Sequence, residues 1–145
     1  MVSHSHDDHW SDLVHLGYLR TLPSTYRPLT VIGPSDAPQV LRRHPDAFDF
    51  SVAAPGPRTL GPFTVRLARV DHGECWATRV DDRLCYTADT GPCDALDEFA
   101  SGCRVLLAPL SGSDVDGPLR GHLTAGDAGR PAARSGARLL VLTHL

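Results

Sequence analysis

The chain contains no lysine and no asparagine, and Ile32 is its single isoleucine. All 14 of its basic residues are therefore arginine. This bias fits a GC-rich coding sequence and carries no functional meaning. No apolar run approaches the ~18 residues of a transmembrane helix, so no membrane partner is expected. The first residues are polar, His-rich and acidic and lack the apolar core of a signal peptide, so a cytoplasmic location is expected. Excess positive charge is also missing. A net charge of −3 and a pI near 6.2 leave no general electrostatic footprint for nucleic acid. Cys75, Cys85, Cys93 and Cys103 form no CxxC pair. That spacing argues against a structural zinc site of four cysteines, or of two cysteines and two histidines. In a reducing compartment the four are free thiols, and Cys85 and Cys103 read as small buried apolar residues.

What is present looks globular. A length of 145 residues suits one domain, and 41% hydrophobic with 21% charged residues is ordinary for one. Trp10, Leu13, Val14, Leu16, Gly17 and Leu19 predict an amphipathic helix over residues 9–22. Apolar runs predict strands near residues 29–32, 48–53, 63–70, 75–80, 83–87, 104–110 and 139–142, the last of them buried. Pro55-Gly56-Pro57 reads as a break, and Asp81-Asp82 as a hairpin turn. Further helices are expected over residues 36–43 behind Ser35, over 94–101, and over 123–135, the last weakened by Gly126, Gly129 and Pro131. Arg42 and Arg43 read as a charge pair at a helix C-terminus, and His15 and His44 as structural or solvent-facing. Strands and helices mixed in this order point to an α/β layered fold with mixed sheets.

The informative segment is Ser3-His4-Ser5-His6-Asp7-Asp8-His9, with the pattern HxHxDH. Imidazoles and a carboxylate together form a ligand set for a divalent metal such as zinc. On an extended backbone His4 and His6 point to one side, and a turn brings Asp8 and His9 round from another. Two ligands from each direction suggest two ions. Taken alone, the segment could equally be a solvated acidic tract. Further candidates stand after strands, where sites usually lie: His72, Asp89 in Tyr86-Thr87-Ala88-Asp89-Thr90-Gly91, and His144. The two oxygens of Asp89 allow it to bridge two cations. Gly121-His122-Leu123-Thr124 adds a histidine at the start of a predicted helix.

Through these five motifs, in this order, the sequence resembles the metallo-β-lactamase-fold hydrolases, and among them the ribonuclease Z-like branch. The resemblance implies a single domain over residues 1–145 with the α/β, αββα sandwich of mixed sheets. It implies that His4, His6, His72 and Asp89 hold one divalent ion and that Asp8, His9, Asp89 and His144 hold the other. Zinc is the expected metal, and the same ligands also serve manganese or iron. Asp8 would orient the attacking water and take its proton, and His122 would stabilise charge on the leaving group or intermediate. The implied activity is hydrolysis of a small-molecule ester or a phosphodiester-type bond, with homo-oligomerisation left open. Two other readings are a non-catalytic metal-binding remnant and an RNA-processing endonuclease. No insertion here matches the long arm of the tRNA-processing enzymes, so nucleic acid is not the expected partner. The chain departs from the family in carrying Pro109-Leu110-Ser111 where relatives commonly have Glu-Ala-Thr, and Ala88 where they have glycine. Relatives also carry strands before HxHxDH and continue past the Thr-His motif, so a partial domain, with an N-terminal strand set and a C-terminal element missing, is expected.

Overall fold

The computed structural model describes residues 1–21, 27–37 and 45–144. Its contacts divide the chain into two compact units, Met1–Ala53 and Ala54–Leu145.

In the first unit, β1 (Leu29–Gly33) and β2 (Phe48–Val52) pair in parallel, with Leu29 opposite Phe48 and Gly33 opposite Val52. The first residues run beside β1, where the Val2 N–H donates to the Ile32 carbonyl at 2.8 Å. A Cβ on Gly33 would sit 3.2 Å from that of Val2, so a side chain there would press the N-terminal segment away. Helix α1 (Asp12–Thr21) begins later than its apolar spacing predicts, because Asp7–His9 form a 3-10 turn first. Trp10, Leu13 and Leu16 pack on a core of Val2, Val31, Ala47 and Phe48. The helix expected over residues 36–43 falls mainly on residues outside those described, as do Arg42, Arg43 and His44.

The second unit is built on a six-stranded sheet ordered β10-β7-β6-β5-β4-β3. Its strands are β3 (Gly56–Leu60), β4 (Phe63–Arg69), β5 (Trp76–Val80), β6 (Leu84–Tyr86), β7 (Val105–Pro109) and β10 (Leu139–Thr143). The β10-β7-β6 portion is parallel and the β6-β5-β4-β3 portion antiparallel. The sheet is therefore mixed, as expected. Two successive antiparallel pairings make β4 run with β6, so β4, β6, β7 and β10 all end at one edge. The segments leaving that edge carry His72, Asp89, Ser111 and His144. A small hairpin of β8 (Gly112–Ser113) and β9 (Gly117–Pro118) follows β7.

Helices α2 (Asp94–Ala100) and α3 (Ala125–Ser135) complete the unit. Leu96 of α2 and Ala128 of α3 meet Ala108, Leu110 and Leu123 in one buried cluster. Cys85 and Cys103 join Ala100 and Leu106 in another, as their sequence surroundings predict. Arg79 is buried and donates to the carbonyls of Phe99 (3.0 Å) and Ser101 (2.5 Å) and to Asp82 (2.8 Å), tying the β5-β6 hairpin to the end of α2.

Two expectations need correction, and a third is met against its composition. The expected break at Pro55-Gly56-Pro57 instead leads into β3, which among the described residues pairs with β4 alone; Pro57 has no N–H, and an edge strand needs donors on one side only. β10 is the other edge of the sheet, so Leu139, Val141 and Leu142 are exposed where burial was expected. Helix α3 forms despite Gly126, Gly129 and Pro131 because both of its ends are capped. The Thr124 hydroxyl accepts from the Asp127 N–H, Asp127 answers the Thr124 N–H, and Gly136 closes the helix in the left-handed region (φ 73°). Among the described residues no helix is long and apolar enough to cross a membrane.

Candidate metal centre

Each unit gathers its own set of candidate ligands. In the first, the chain is extended at His6 and then turns through Asp7–His9. The His9 N–H donates to the His6 carbonyl (3.0 Å) and the Ser11 N–H to that of Asp7 (2.9 Å). The Trp10 indole N–H donates to the Ser5 carbonyl at 2.7 Å and so clasps the middle of the motif. This turn folds His9 back onto His4, with ring centroids 4.1 Å apart, while His6 stands edge-on to His4 at 4.6 Å. His4 and His6 each offer a ligand atom within 4.8 Å of the other, as alternation along an extended backbone predicts. His4 is buried, and its Nδ1 lies 3.1 Å from the Ser3 hydroxyl. Asp8 is exposed, with a carboxylate oxygen 3.2 Å from His9 Nε2. Three imidazoles this close would repel one another if protonated, so the group suits a cation bound to neutral rings.

In the second unit, His72, Asp89, His122 and His144 collect at the sheet edge where the parallel strands end. His72 and Asp89 offer ligand atoms within 4.8 Å of each other. His72 Nδ1 lies 2.8 Å from the Gly121 carbonyl, His122 Nδ1 lies 3.1 Å from the Arg120 carbonyl, and His144 Nδ1 lies 3.3 Å from the Leu110 carbonyl. A carbonyl only accepts, so each contact favours a hydrogen on Nδ1, which in a neutral ring leaves the lone pair on Nε2. This outer bonding is what metal-binding histidines typically show. The His122 and His72 rings meet edge-on at 4.8 Å, and the His144 ring lies parallel to that of His122 at 6.1 Å. His122 Nε2 approaches an Asp89 oxygen at 3.5 Å. A lone pair facing a carboxylate is unfavourable unless a proton or a metal ion lies with them. The donor set therefore fits divalent cations.

The loops around Asp89 are locked together. The Asp71 N–H donates to the Thr90 hydroxyl (3.1 Å) and the Gly91 N–H to the Asp71 carbonyl (2.9 Å). A Cβ on Gly91 would lie 2.7 Å from the Asp71 carboxylate, so glycine is what allows the two loops this close. Asp89 is itself buried. Cys75 donates its S–H to the Asp89 carbonyl at 3.2 Å. Burial, and then the Asp89 charge, push that thiol up to about 12, so it supports Asp89 as a protonated group and is not a nucleophile.

Sequence reasoning singled out these candidate residues but missed the groups that hold them, the Trp10 indole and the Gly121 carbonyl. Only the glycine in Gly121-His122 left a signal, since φ is 76° there and a Cβ would lie 2.7 Å from His72 Nδ1. His122 does not open the helix as expected. It stands in the turn before Thr124, the residue that caps α3.

The family model described as "Beta-lactamase superfamily domain" matches residues 1–145. Among curated proteins, the probable metallo-hydrolase YhfI of Bacillus subtilis is 30% identical over all of this chain and 64% of its own length. The uncharacterized protein Rv1339 of Mycobacterium tuberculosis is 34% identical over all of this chain and 60% of its own length. Ribonuclease Z of Streptomyces avermitilis is 38% identical over 54% of this chain and 24% of its own length. The crystal structure of YhfI, a metallo-β-lactamase fold protein, superposes with a TM-score of 0.87 at 29% identity, covering 99% of this chain and 62% of that one. The expected mixed α/β fold of that type is thus present. The chain spans about three fifths of the length of the full-length curated relatives it matches.

Proposed function

Because the chain belongs to the beta-lactamase superfamily, we propose that it is a metal-dependent hydrolase acting on an ester or phosphodiester-type bond with a dinuclear centre, zinc by preference. The observation that carries this reading is the shared orientation of His72 and His144, each with Nδ1 on a backbone carbonyl, so that Nε2 would be the nitrogen offered to an ion. Motif order supports the assignment of ligands. His4, His6, His72 and Asp89 would hold one ion, and Asp8, His9, Asp89 and His144 the other. Divalent ions bound there supply Lewis acidity, which polarises the electrophile and acidifies water near neutral pH.

The chain's own groups do the rest. Asp8, exposed beside His9, would orient water and take its proton. His122, with Nδ1 on the Arg120 carbonyl and Nε2 3.5 Å from an Asp89 oxygen, would stabilise charge on the leaving group. Free cysteines at 75, 85, 93 and 103 support a reducing, cytoplasmic setting.

Zinc content of the purified protein, together with hydrolysis of bis-p-nitrophenyl phosphate by wild type and His6→Ala, tests the reading. The expected result is bound zinc and a rate that His6→Ala abolishes. Equal rates in the two proteins would leave a metal-binding remnant without catalysis. A ribonuclease Z-like activity is the second reading, favoured by the 38% identity over part of the chain. The net charge of −3 weighs against a polyanionic substrate, and precursor tRNA cleavage tests it directly.

A further inference from the structure

We propose that Ser111 is a positioning residue, which fixes the tautomer and aim of His144 so that its Nε2 faces a divalent cation; this rests on the metal-site reading above. Ser111 follows β7 and its backbone is pinned on both sides. Its N–H donates to the Leu123 carbonyl at 3.0 Å, and its carbonyl accepts from the Leu119 N–H at 3.0 Å. Next to it, the Leu110 N–H donates to the Thr143 carbonyl at 2.9 Å, which holds this segment along the end of β10.

The Ser111 hydroxyl donates its one hydrogen to the Leu110 carbonyl at 2.7 Å. Oγ therefore turns a lone pair to His144 Nδ1, 3.1 Å away, and the Leu110 carbonyl reaches the same nitrogen at 3.3 Å. Two acceptors on one nitrogen require Nδ1 to carry the hydrogen. The other tautomer would set lone pair against lone pair. His144 also stands in the left-handed region (φ 61°), which a residue with a side chain keeps only where its surroundings hold it.

Two measurements test this. In the metal-free protein, long-range nitrogen–proton correlation spectra report which His144 nitrogen is protonated, without reference to any ion. Wild type and Ser111→Thr should show Nδ1–H, while in Ser111→Ala and Ser111→Val the closer contact is lost, the longer one to the Leu110 carbonyl (3.3 Å) is left, and the tautomer should shift toward a mixture. Zinc affinity, by chelator competition, should fall about tenfold in Ser111→Ala and Ser111→Val and be restored in Ser111→Thr. Thr and Val differ in the hydroxyl but not in shape, so the pair separates its loss from a packing defect. Variants lacking the hydroxyl that keep the Nδ1–H tautomer and wild-type zinc affinity would overturn the positioning role. A wild type that binds no zinc would instead defeat the metal-site reading, and the tautomer spectrum would still decide the role of Ser111.

Discussion

At the residue scale, the candidate ligands depend on neighbours that leave no room for change. Gly121→Ala adds a Cβ 2.7 Å from His72 Nδ1 at a backbone angle that already disfavours side chains. We expect a loss of about 1 kcal/mol or more of stability from the strained backbone. We also expect zinc binding weakened by at least about tenfold, because His72 must move off the Gly121 carbonyl. Denaturant titration and chelator competition check the two effects separately. Trp10→Phe keeps the ring on the first unit's core but removes the indole donor to Ser5. It should cost about 1 kcal/mol and loosen the HxHxDH turn, which proton exchange at the His9 amide would report. Ala88, where relatives carry glycine, takes the left-handed conformation (φ 55°) with its methyl buried against Val70, Cys75 and Ala77. The departure was legible in the sequence. The compensation, a methyl packed in a core, was not, because it depends on which strands come together.

At the scale of the element, α3 shows how capping overrules composition. Thr124→Ala should remove about 1 kcal/mol, measured as a shift in denaturation midpoint, because the N-terminal amides of the helix lose their acceptor. Burial works against the charge on Asp127, but the Thr124 N–H, the Arg130 side chain and the Thr124 hydroxyl outweigh it and lower the pKa. Asp114, favoured as the anion by the nearby Thr124 side chain and by the Gly126 N–H at 2.9 Å, moves the same way. A carboxyl whose folded pKa is depressed stabilises the fold above its ordinary value near 3.8 and loses that contribution as pH falls through the folded value. Stability from this cap should therefore be level near neutrality and decline below about pH 4, with Asp127→Asn flattening the decline. An acid limb unchanged in Asp127→Asn would show that the cap does not titrate with folding. Most strands were legible because apolar runs between turn residues leave few alternatives. β3 was not, since Pro57 argues against a strand until its edge position is known. Nor was the exposure of β10, because burial depends on which strand has a neighbour on each side.

For the whole molecule, the sheet order brings residues distant in sequence to one edge. The candidate ligands were legible as candidates, because HxHxDH and the strand-end His and Asp residues are written in short motifs. Their outer partners were not: the Gly121 carbonyl lies 49 residues from His72, and a backbone carbonyl has no signature in sequence. If metal binds the folded chain and not the unfolded one, chelation should lower the melting temperature. The difference is about 4 kcal/mol at a thousandfold excess over Kd. The central claim is a dinuclear centre that shares Asp89, and metal stoichiometry by elemental analysis tests it most directly. We predict close to two zinc ions per wild-type chain, about one in His144→Ala, and fewer than one in Asp89→Ala. A wild-type chain holding less than one zinc at neutral pH, or an Asp89→Ala chain that still holds two, would contradict it.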